Sequence, residues 1–248
     1  PVAGNKNFTG QKDAEFQIIP ATLTGTLKVY NDKGQQYSVN KWGYLVDADG
    51  EWVSFAYDGE AHTFADAEFI PDNSAVTADD YEIVYIDNVY GKVDASDYFG
   101  ENGNGHGYIA VIGKGNFAGR SEITNVSGEV VNVVKGAAYK FGIKKYEILK
   151  QHVTIEDGEY AAGQPVRPNV KVVVGGKTLV ENKDYKLDYN AISDLTNGKT
   201  MYVSVEGING YRGIVDGKWG VVKCNIANTQ VVLTAGKKPE VTVYNAGV

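Results

Sequence analysis

Cysteine is almost absent: Cys224 stands alone in 248 residues. A single thiol excludes an internal disulfide and a thiolate metal cluster. In its strand-like context, Val221 to Ile226, it reads as a buried, inert side chain. Histidine is scarce too. His62, His106 and His152 fall in three segments, and no two share a metal-ligand spacing such as His-x-x-x-His. No apolar run approaches the roughly 18 residues of a spanning helix. Basic residues are outnumbered, 24 against 31 acids. That balance argues against nucleic acid and against an anionic membrane surface. There is no Gly-x-Ser-x-Gly elbow, and no signal peptide or sorting motif.

What is present favours strands. The chain is 43% hydrophobic and 22% charged, enough to bury a real core. Thirty glycines and 17 tyrosines, with many valines and threonines, suit strands and tight turns. Period-two alternation marks Glu82–Tyr85, Tyr108–Ile112, Lys171–Val174, Met201–Val205 and Glu240–Tyr244 as strands. Asp49-Gly50, Asp157-Gly158, Gly175-Gly176 and Asn197-Gly198 read as hairpin turns. Tyr139 to Lys150 comes nearest to helical periodicity, and a strand is expected there.

Two phrases recur in the same order. Gly4-Asn5-Lys6-Asn7-Phe8-Thr9-Gly10 returns as Gly113-Lys114-Gly115-Asn116-Phe117-Ala118-Gly119 and as Gly207-Ile208-Asn209-Gly210-Tyr211-Arg212-Gly213. Ahead of the last two stand Asp80-Tyr81-Glu82-Ile83-Val84-Tyr85 and Asp184-Tyr185-Lys186-Leu187-Asp188-Tyr189. Ordered recurrence predicts tandem modules. The glycine phrase is expected to turn between two strands, its aromatic capping the core. The copy at Gly4 lacks its upstream phrase, so the chain is expected to begin inside a module.

Tyr160-Ala161-Ala162-Gly163-Gln164-Pro165, then Asn169 to Val174, Gly175-Gly176-Lys177-Thr178-Leu179, Asp184-Tyr185 and the closing glycine phrase resemble the Ig-like repeats of large Gram-positive cell-surface proteins. The resemblance covers one repeat well and a second with insertions. It implies an all-β chain of tandem antiparallel Ig-like β-sandwich modules. Residues 1–20 would end a preceding repeat, 21–54 form an aromatic hairpin insertion or linker, 55–150 a repeat with an inserted loop at 86–108, and 151–226 another repeat. Residues 227–248 would open a following one, since Pro239 to Val243 matches Pro168 to Val172. It also implies an extracellular, cell-surface or wall-attached location, no catalysis and no cofactor. Lys–Asn isopeptide crosslinks occur in such proteins, but no triple stands out here.

Function is expected where the copies differ. Between the two phrases one copy spends 33 residues (80→113) and the other 23 (184→207). The surplus lies within 86–108, rich in Tyr, Asn, Gly, Ser and Asp, a composition that binding loops favour. From Asp72 to Glu101 stand eight acids and one base, Lys92. Three readings stay open: a solvated acidic loop, a protein-binding loop, and a calcium site built from Asp87, Asp94 and Asp97. Further surplus is expected near 121–138. The segment 21–54 carries Tyr30, Tyr37, Trp42, Tyr44 and Trp52, with Phe55 just beyond it. It faintly resembles a single choline-binding repeat, with packing or a protein- or sugar-contacting surface as its roles.

The leading expectation is non-enzymatic binding or adhesion to a host protein, an immunoglobulin being the specific candidate, with no metal site assigned. The candidate contacts are Tyr90, Asp94, Asp97, Tyr98, Phe99, Asn102, Asn104, His106 and Tyr108 from the insertion, and Trp42, Tyr44 and Trp52 from the aromatic segment. The alternatives are a purely structural stalk and an accessory glycan-binding module of a secreted carbohydrate-active enzyme.

Overall fold

The computed structural model describes residues 2–3, 11–17, 19–118, 121–159, 166–189 and 200–222. The phrase at Gly4, the turn at Asn197-Gly198, Cys224, the strand at Glu240–Tyr244 and the segment 227–248 lie outside them. Strand makes up 51% of the structure and helix almost none, so the chain is all-β. Two compact units emerge, neither continuous in sequence. The first takes 1–53, 63–87 and 108–141. The second takes 54–62, 88–107 and 142–248.

The first unit is built around the antiparallel pair Gly25–Tyr30 and Asp66–Pro71. Alternate residues Leu27 and Val29 turn inward and meet Phe69, Leu45, Ile109 and Val111 in one core, as period-two patterning requires. Tyr81–Ile86 pairs antiparallel with the 108–113 part of the long strand Gly105–Gly113. The surplus near 121–138 is a hairpin, Ser121–Thr124 against Val130–Val133. Its Ile123 and Val133 join Ile86 and Ala110 in a second small core.

The second unit holds Met201–Gly207 between Tyr185–Tyr189 and Ile214–Trp219. Met201, Val203 and Trp219 pack with Val166. Asn169–Val174 pairs with Val153–Glu156 on one side and Lys177–Thr178 on the other. Only Gly175 and Gly176 separate Val174 from Lys177, both at positive φ (58° and 82°). That is the two-residue hairpin expected of a Gly-Gly pair. The segment Tyr139 to Lys150 carries strands Ala138–Lys144 and Tyr146–Glu147.

Asp157-Gly158 corrects the expectation of a hairpin. Gly158–Glu159 runs parallel to Val221–Val222, and the Asp157 carboxylate accepts the Gly220 N–H at 2.6 Å. A Cβ at Gly158 would collide with the Arg167 carbonyl and the Val166 side chain. This glycine permits close backbone approach and makes no turn.

The two phrases share one geometry in both units. In the first, Tyr81 sits opposite Gly113, and the Lys114 N–H donates to the Asp80 carbonyl at 2.8 Å. In the second, Tyr185 sits opposite Gly207, and the Ile208 N–H donates to the Asp184 carbonyl at 3.0 Å. The turn closes identically, Phe117 N–H to Lys114 O and Tyr211 N–H to Ile208 O, both at 3.0 Å. A two-residue parallel pairing follows each: Phe117–Ala118 with Ala21–Thr22, and Tyr211–Arg212 with Tyr146–Glu147.

Candidate functional site

The insertion folds as a closed, pinned loop. Within the second unit, Lys92 and His106 exchange both main-chain hydrogen bonds, at 2.8 and 2.9 Å. The backbones of Gly91 and Gly105 cross there with no space for a Cβ on either. Inside the loop a helical turn, Tyr98–Glu101, starts at Asp97. The Asp97 Oδ1 accepts the Gly100 N–H at 3.0 Å, satisfying one of the turn's open donors. Its Oδ2 lies 2.8 Å from Nδ1 of the buried His106. Asp94 closes the preceding turn, accepting from the Ser96 N–H and hydroxyl at 2.9 and 2.6 Å.

The loop is also tied outward, still inside the same unit. Arg212 donates to the Asn102 carbonyl oxygen at 2.6 Å and to Glu147 at 3.2 Å. Asn104 Oδ1 accepts the Lys145 N–H at 2.8 Å. Burial alone lowers the Lys145 amine to about 8, because an ammonium loses its water there. Beside the loop, Tyr90 and Tyr211 both pack on Tyr57, ring centroids 5.8 Å away in each case. Burial is also the main cause that raises the Tyr57 phenol above its ordinary value.

The expected contact residues divide sharply. Phe99 and His106 are buried, and Tyr44 in the first unit is too. These three fill cores and have no surface to offer a partner. Phe99 lies so close to Gly142 that a Cβ there would enter its ring. Asp97, Asn102 and Asn104 hold the loop together. Tyr108 packs on the small core of the first unit. Tyr98 remains, 56% exposed on the helical turn, its ring edge-on to Phe99 at 5.5 Å.

The calcium reading gains no support from the same geometry. Asp87, in the first unit, accepts the Val126 N–H at 3.0 Å. Asp94 and Asp97 serve their own turns. No three potential metal ligands converge among the described residues.

The aromatic segment of the first unit is a meander of Asx-capped turns. Asn31, Asn40 and Asp47 each accept two main-chain N–H groups on one side-chain oxygen, from residues i+2 and i+4, all at 2.9 to 3.0 Å. Each turn then places a glycine at i+3 with positive φ: Gly34, Gly43 and Gly50. Asn125 to Glu129 repeats the device in the hairpin 121–133. The spacing Asx-x-x-Gly was the readable signal for these turns, since Asn and Asp bond their own backbone two residues on and glycine takes the left-handed position. Of these turns, the dipeptide signals in the sequence mark only Asp49-Gly50.

The meander stacks three rings. Tyr44 lies on Trp52 (4.7 Å between centroids, 27° between planes), and Trp52 on Trp42 (5.6 Å, 41°). Tyr44 is buried, whereas Trp42 is 58% exposed. Lysines sit over the two ends, Lys41 Nζ 4.3 Å from the Trp42 centroid and Lys140 Nζ 5.2 Å from that of Tyr44. Arg212, Lys145, Gly142 and both lysines were not foreseen; the sequence alone does not say which distant residues meet. In comparisons with known proteins the chain matches no protein-family model, no curated protein and no solved structure.

Proposed function

We propose that this chain is a non-enzymatic binding region of a bacterial cell-surface protein. In this reading its units are Ig-like β-sandwich repeats carrying insertions, and its partner is a host protein, with an immunoglobulin as the first to test. The observation that carries the reading is Tyr98: a large side chain, 56% exposed, on a loop whose turns at Asp94 and Asp97 are closed by their carboxylates and whose tip is tied down by Arg212. A rigid aromatic loses little entropy on contact, and Tyr is enriched at interface hot spots. The identical phrase geometry in the two units supports the repeat assignment.

The test is capture from serum on immobilised protein, wild type beside Tyr98→Ala. The wild type retains a serum protein and the variant retains at least about tenfold less, as expected for loss of a hot-spot residue, with melting temperature unchanged. Retention of nothing by the wild type would favour a stalk without a partner.

A further inference from the structure

We propose that the Trp42–Trp52–Tyr44 ladder, with Lys41, binds an acidic saccharide. This goes beyond the protein contact at Tyr98 and does not depend on it. Three observations point to it, all within the first unit.

The platform is preformed. Trp42 stands in the turn that Asn40 closes with two hydrogen bonds at 3.0 Å. Trp52 follows the turn that Asp47 closes in the same way and bridges to Val46. The Lys140 N–H fixes the Gly43 carbonyl at 2.8 Å. These bonds fix the backbone beneath the rings, and the rings stack on one another, so a ligand has less to order.

The exposed member is flat and faces solvent. Trp42 is 58% exposed although it is the largest side chain type in the chain. Its π-face is electron-rich and meets the weakly positive C–H face of a pyranose ring. Once Lys41 leaves it, this solvent-facing ring suits stacking of a flat ring, whereas a buried small-molecule site would need a concave cleft.

The charge next to it is positive and available. Lys41 Nζ rests on the Trp42 ring and pairs with no carboxylate among the described residues. An exposed cation–π contact is weak, so the ammonium can leave the ring for a ligand carboxylate while the sugar takes its place. A uronic acid unit supplies both features: an apolar ring face and one carboxylate.

The experiment is a tryptophan-fluorescence titration of the full chain with two probes, a hyaluronan oligosaccharide, which carries glucuronate, and neutral cellohexaose. The expected result is saturable quenching by the hyaluronan oligosaccharide, weakened by salt. Trp42→Ala abolishes it, and Lys41→Gln weakens it by roughly tenfold toward the level of the neutral probe. Tyr98→Ala leaves it intact, so failure here and failure of serum capture are separable. Quenching by neither probe, or full binding by Trp42→Ala, overturns the site. Equal binding of both probes overturns the acidic assignment. Loss of serum capture in Trp42→Ala without saccharide binding in the wild type would make the ladder a protein contact and also overturn the proposal.

Discussion

The guanidinium of Arg212 meets the carbonyl oxygen of Asn102 at 2.6 Å across 110 residues of sequence. Arg212 belongs to the second described copy of the glycine phrase, and Asn102 to the insertion that sets the first copy apart. The insertion therefore does not hang free. It is locked to the turn of the other copy, and the lock leaves Tyr98 as the exposed ring.

Replacing Arg212 by Ala should free the tip. It removes two charge-assisted hydrogen bonds, and such bonds contribute about 1.5 to 3 kcal/mol when well formed, less for the exposed one to Glu147. Hydrogen exchange of the amides at 100–104 should speed up while exchange in Met201–Gly207 stays slow. Unchanged exchange at the loop would mean the contact holds nothing.

Two glycines should resist a single methyl. A Cβ at Gly210 would enter the Tyr57 ring, and one at Gly142 the Phe99 ring. Gly210→Ala and Gly142→Ala should each destabilise by about 1–3 kcal/mol through overpacking, read by denaturant unfolding. Gly128→Ala, at a site with open space but φ of +83°, should cost only its backbone strain, about 1 kcal/mol.

Lys145 should make stability rise with pH. Its folded pKa, about 8, lies below the ordinary value near 10.4 of an exposed lysine. Between those values the unfolded chain holds more protons at this residue than the folded one. Unfolding free energy therefore climbs from pH 8 to 10, and the penalty is fully present below pH 8. Lys145→Met should melt higher than wild type at pH 7, with the gap closing toward pH 10. A gap independent of pH would contradict this.

The Asx turns should respond to the acceptor and not to the charge. Asp47→Asn keeps the oxygen that receives Asp49 and Glu51 and should be tolerated. Asp47→Ala should cost about 1 kcal/mol, the worth of an ordinary hydrogen bond, and broaden the Trp52 emission. Equal stability of both variants would show that the turn does not depend on the side chain.

Local patterns were legible in the sequence. Gly175-Gly176 made its hairpin because two adjacent positive-φ residues admit few alternatives, and Leu27, Val29, Met201 and Val203 faced inward as alternation requires. The paired phrases were recognisable as turns for the same reason. Asp157-Gly158 misled because a glycine needed for close approach looks the same in sequence as one needed for a turn. The roles of Phe99 and His106 were hidden. An aromatic-rich insertion looks like a contact surface until the residues that bury it, Gly142 among them, are known, and those lie some forty residues away in sequence. Arg212 and Asn102 meet by tertiary packing, which no local pattern encodes.

The most direct test of the binding account is the affinity of the captured serum protein for wild type and Tyr98→Ala, compared by surface plasmon resonance with hydrogen exchange confirming an intact loop. The account predicts at least about a tenfold loss, carried mainly by faster dissociation as for most interface substitutions. An affinity equal to wild type on an intact loop would contradict it.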